Sequence, residues 1–69
     1  MAPARVGARV RVLAPDHLRG LEGEVVALCD SAHDRFDCHV QVSKTVDGHV
    51  RTSGPYSMRW HELESVVAP

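Results

Sequence analysis

Phe36-Asp37-Cys38-His39-Val40-Gln41-Val42-Ser43-Lys44-Thr45-Val46-Asp47-Gly48-His49-Val50 is the stretch that decides the fold. Cys38, Val40 and Val42 alternate with Asp37, His39 and Gln41. An extended segment with that period has one apolar and one polar face. Asp47-Gly48 then predicts a two-residue type I′ hairpin, because Asp and Gly tolerate the positive φ its centre needs. The turn sets Val46 opposite His49 and Thr45 opposite Val50. This gives a strand over 36–46 and a returning strand from His49. Pro55 has no N–H for a ladder, so a kink, bulge or edge is expected at Gly54-Pro55. Beyond it, Tyr56, Met58 and Trp60 share one face, with Trp60 expected mostly buried and Tyr56 the aromatic most open to solvent.

Working outward, Arg9-Val10-Arg11-Val12 alternates as well, with both valines inward and both arginines outward. Residues 1–7 form a lead-in that Gly7 ends. Residues 14–20 form a loop begun by Pro15, with Leu18 dropping into the core. Gly20-Leu21-Glu22-Gly23 reads as turn punctuation with both glycines at positive φ. A second strand over 24–29, a polar loop over 30–35, a 3₁₀ turn at 61–63 and a last strand over 64–67 complete the chain. Residues 1–69 are read as one domain.

Composition supports strands. The chain of 69 residues has eleven valines, seven alanines, five leucines and no isoleucine, with one Trp, one Tyr and one Phe. Valine loses rotamer freedom in a helix and packs well on a pleated surface. No window carries a helical apolar stripe over three turns. The expected fold is therefore all-β: a five-stranded SH3-like barrel with a 3₁₀ turn before the last strand. A domain this small buries only roughly 60% of its unfolded surface. It leaves no room for a parallel sheet with a nucleotide crevice, so no cofactor is expected. The longest apolar run, residues 25–29, is far short of the roughly 18 residues of a membrane span. Met1-Ala2-Pro3-Ala4-Arg5 has no apolar h-region, so neither secretion nor a membrane is expected and the location is read as cytoplasmic.

The formal net charge of −1 is unevenly placed. Arg5, Arg9, Arg11 and Arg19 against Asp16 leave residues 1–20 basic, while Glu22, Glu24, Asp30, Asp34 and Asp37 against Arg35 leave residues 21–40 acidic. Arginine's planar fork suits carboxylate and phosphate alike. Cys29, His33, Cys38 and His39 are the only candidates for a metal. Cys₂His₂ sets bind tetrahedral zinc. However, Cys38 and His39 are neighbours on one strand and point to opposite faces, so no metal site is expected. The same geometry denies them a nucleophile–base dyad, and no other catalytic constellation is visible. His61-Glu62-Leu63-Glu64-Ser65 has serine where a zinc-protease motif needs a second histidine. The cysteines are read mainly as free thiols, with a single disulfide or metal ligation as alternatives.

Two resemblances follow from particular residues. Gly7-Ala8-Arg9-Val10-Arg11-Val12 with Leu18-Arg19-Gly20-Leu21-Glu22-Gly23-Glu24-Val25-Val26 resembles a KOW motif. That family implies binding to RNA, ribosomes or RNA polymerase. The end of the chain, through Tyr56-Ser57-Met58-Arg59-Trp60-His61-Glu62-Leu63, is similar to an SH3-like accessory group. That group includes the small stromal-side subunit of photosystem I, the variable chain of ferredoxin–thioredoxin reductase and the nitrile hydratase β C-terminal domain. It implies docking on a larger enzyme without a cofactor of its own. By this likeness the contact surface is Arg9, Arg11, Arg19, Tyr56 and Arg59. The chain has one lysine and no basic tail, unlike ribosomal KOW proteins. The expected function is therefore a non-catalytic protein-interaction or accessory module, with a KOW-type RNA-binding role as alternative and no small-molecule substrate.

Overall fold

A computed structural model describes residues 5–30 and 32–66. Five strands run β1 (Arg9–Val12), β2 (Glu22–Leu28), β3 (Cys38–Val46), β4 (His49–Met58) and β5 (Leu63–Ser65). Two 3₁₀ turns, Asp16–Leu18 and Trp60–Glu62, complete the regular structure of the described residues, the second lying just before the last strand. All strand pairings are antiparallel, in the order β4-β3-β2-β1-β5 within one sheet. The sheet is not closed, since β4 and β5 are its two edges. No helix among the described residues is long and apolar enough to cross a membrane.

The hairpin register is the expected one: Val46 pairs with His49 and Thr45 with Val50. Asp47 and Gly48 have φ of 51° and 77°, the two left-handed residues of a type I′ turn. At Pro55 the expectation of a bulge or an edge is met twice. β4 is an edge strand, and its pairing slips between Val40↔Tyr56 and Val42↔Ser53, so Gly54 and Pro55 together oppose Gln41.

The core is small and mostly valine. Val10, Val12, Val25, Val40, Val42, Cys38, Met58, Leu18 and Leu63 are buried, and Ala8, Leu21, Tyr56 and Trp60 pack around them. Leu18 reaches the core from the first 3₁₀ turn, where its N–H donates to the Pro15 carbonyl. Trp60 is only half-buried, as is Tyr56, so the expected contrast between them is absent. The Tyr56 hydroxyl donates to Ser53 Oγ at 3.3 Å.

Some boundaries move. β2 starts at Glu22 rather than 24, because Gly23 is a strand residue opposite Val42 and Val10. Its φ is not positive; glycine is needed there because a Cβ would collide with the Gln41 carbonyl. Only Gly20, at φ 89°, fills the turn role expected of both. β3 starts at Cys38, after Phe36 and Asp37. The second 3₁₀ turn begins one residue early, at Trp60. The Glu62 carboxylate accepts the Arg59 N–H there at 2.8 Å, the reciprocal half of a cap. Residues 1–4 of the lead-in and Val67 of the expected last strand lie outside the described residues.

Candidate functional site

The basic strip does not stand alone. Arg11 is directly opposite Glu22 on one side and Glu64 on the other. Its guanidinium reaches Glu64 Oε1 at 3.0 Å and Glu22 Oε2 at 3.9 Å. Arg9 stands in register with Glu24. Arg19 lies 3.8 Å from Asp16, with both side chains well exposed. Exposed pairs of this kind contribute at most about 1 kcal/mol each. Their effect is on the surface potential: antiparallel pairing sets the basic β1 between the acidic β2 and β5, so the charge division along the sequence is interleaved in space.

Arg59 sits differently. Its guanidinium carbon lies 6.0 Å from the centroid of the Phe36 ring, at cation–π range. Phe36 is 39% exposed, and Leu28, paired with Cys38 at the same end of β2 and β3, is 49% exposed. Asp37 fixes this end. Its N–H donates to the Met58 carbonyl at 3.0 Å, and its Oδ2 accepts the Trp60 N–H at 2.9 Å.

Of the four metal candidates, Cys38 and His33 stand apart from the other two. Cys38 is buried in the core, where its thiol points to the Met58 carbonyl at 3.8 Å. Burial first, then the Asp37 carboxylate, Cys29 and Glu62 push this thiol up to about 11. His33 is in the 30–37 loop, with Nε2 3.7 Å from Asp30 Oδ2. Both cysteines are free, Cys29 half-buried and Cys38 buried. Among the described residues no three His, Cys, Asp or Glu side chains converge as a metal cluster.

Cys29 and His39, both candidates from the sequence, do meet, and with Ser57, which the sequence did not single out. Cys29 Sγ lies 3.5 Å from His39 Nε2, and His39 Nδ1 lies 3.2 Å from Ser57 Oγ. The three residues form a polar row across the ends of β2, β3 and β4 on the outward face. His39 and Ser57 are paired in register, both facing outward. Cys29 joins them because the β2–β3 ladder slips by one residue between Val25 and Ala27. Partial burial, followed by Asp34 and Asp37, raises the Cys29 thiol above its ordinary value. Both contacts are within hydrogen-bonding range, and the histidine tautomer sets which partner donates in each.

Comparison with known proteins finds no matching family model, no matching curated protein and no matching solved structure.

Proposed function

We propose that the chain is an SH3-like barrel that serves as a non-catalytic interaction module, docking on a larger protein partner in the cytoplasm. Five antiparallel strands in the order β4-β3-β2-β1-β5, with a 3₁₀ turn before the last in the chain, support the SH3-like reading. The observation that carries the docking role is the end of the sheet around Phe36. There the exposed Phe36 ring has Arg59 over it, half-buried Trp60 is tied to Asp37, and exposed Leu28 pairs with Cys38 at the same end of the sheet. Aromatic and arginine side chains over a small apolar patch are the composition of a protein-contact surface. Of the five residues expected to make contact, Arg59 belongs to this patch. Arg11 is engaged by its own glutamates.

The KOW-type alternative needs arginines free for phosphate. The carboxylates that flank β1 work against it by keeping the local potential near neutral. Titration of single- and double-stranded RNA across a salt series tests the choice. Negligible binding with a flat salt response is expected. Micromolar or tighter affinity that falls steeply with salt overturns the docking proposal in favour of RNA. On the positive side, Phe36→Ala and Arg59→Ala should each abolish a specific protein association of the wild-type chain while leaving the fold intact by circular dichroism.

A further inference from the structure

We propose that the open edge of β4, on the arm that β3 and β4 form around their turn, takes up a third strand: an extended acidic segment of a protein partner, with carboxylates alternating with β-branched residues. This rests on the reading of the chain as a docking module, and it places a second contact away from the Phe36–Arg59 patch.

The backbone of the arm is open on one side. Residues 44–46 pair with residues 49–51 as a two-stranded ribbon, every one of them exposed. Such a ribbon is marginal in water, and a third strand stabilises it. β4 is an edge of the sheet. In a two-residue type I′ hairpin the residues flanking the turn exchange both backbone bonds, here Val46 and His49. The bonding alternates from there. Arg51 therefore turns its backbone groups to β3, while Val50 and Thr52 turn theirs outward. Pro55 has no N–H to offer, and the bulge beside it ends the regular edge.

The side chains define the partner. β3 alternates from the buried Val42, so Lys44 and Val46 share its face, with Arg51 and His49 opposite them. Lys44 and Arg51 are thus two cations directly across from each other, an arrangement that repels. No ion pair among the described residues includes either one. A carboxylate on a strand beside Arg51 relieves that repulsion and fits the guanidinium fork. The other face of the arm carries Thr45, Thr52 and the 71% exposed Val50, with no charge. β-Branched residues of the incoming strand pack there.

The same features sort the occupants. Edge cations keep like strands apart, so the arm rejects a second copy's β4, which brings the same Arg51. A phosphate backbone satisfies the cations but offers no ladder to Val50 and Thr52. An acidic strand satisfies both, antiparallel to β4 as every other pairing in the sheet is.

The test titrates the full-length chain into a fluorescein-labelled, end-capped peptide Thr-Val-Glu-Val-Glu-Val-Thr and reads anisotropy. Saturable binding below millimolar concentration is expected, with the Val50 and Thr52 amides protected from hydrogen exchange in the complex. Replacing both glutamates by lysine should abolish it. N-methylation of the valines, whose N–H groups face β4, should also abolish it, while N-methylation of the glutamates should leave it within about threefold. Arg51→Glu should weaken binding at least about tenfold and admit the lysine peptide instead. That substitution gives Lys44 an opposite charge to face, so the arm keeps its register. The proposal is overturned if the acidic peptide does not bind at millimolar concentration, or if folded Arg51→Glu binds it as the wild type does. It is also overturned if the lysine peptide binds the wild type equally well, or if a uridine oligonucleotide binds through Arg51 more tightly than the acidic peptide. Phe36→Ala should leave peptide binding within about twofold, since it lies outside the arm. Failure of the peptide therefore leaves the Phe36–Arg59 patch standing, and failure of the patch leaves the peptide result standing.

Discussion

The ribbon of β3 and β4 has two halves with the same hydrogen bonding and different surroundings. From Cys38 to Val42, β3 buries every second residue against β1 and β2, and Met58 faces Cys38 from β4. Beyond Ser43, every residue from Lys44 to Pro55 is exposed, including Val50 at 71%. The Gly54-Pro55 bulge marks the boundary. The backbone ladder continues across it, so hydrogen bonds alone do not distinguish the halves. Apolar burial does, and at this size it supplies most of the stability.

Substitutions at the two ends test that contrast most sharply. Met58→Ala removes the one buried side chain of β4 and should destabilise by about 2–5 kcal/mol in chemical denaturation. Asp37→Ala strips the acceptor from the Trp60 N–H and loosens the chain entering the second 3₁₀ turn. A loss of about 1–3 kcal/mol is expected by the same measurement. In the arm, Val50→Thr should change stability by less than about 0.5 kcal/mol. An effect of Val50→Thr comparable to that of Met58→Ala would show the arm to be covered, and the two halves alike.

The titration of Cys38 offers a further probe of the packed half. Its folded value of about 11 lies above the ordinary 9.0, so the folded chain retains a proton that the unfolded chain releases. The contribution of this thiol to stability is therefore level below about pH 9 and falls as pH rises from there through 11. Cys38→Ala should flatten that decline in a pH series of denaturation midpoints. Cys29 shifts in the same direction, so some slope remains in that variant.

The hairpin was legible because its signals are local. Alternation over 38–42 and the Asp47-Gly48 pair set face, turn and register within one stretch of chain. Gly23 was misread because its requirement is not local. The sequence shows a glycine near a turn, whereas the clash that demands it comes from the Gln41 carbonyl on the next strand. The arginines were read as a strip for the same reason: Glu22 and Glu64 lie far apart in sequence and meet Arg11 only through pairing on both sides of β1.

The polar row shows where sequence reasoning stops. Strict alternation from the buried Val25 would turn Cys29 inward. The slip at Val26 shifts the rest of β2 by one residue and turns Cys29 outward beside His39. The sequence by itself determined an all-β chain, its valine core and the one hairpin whose turn residues permit no other register. Tertiary structure decided which charges cancel, which thiol is buried and which meets an imidazole. Those depend on ladder slips and strand order, which arise from packing across the whole sheet rather than from the preferences of any one segment.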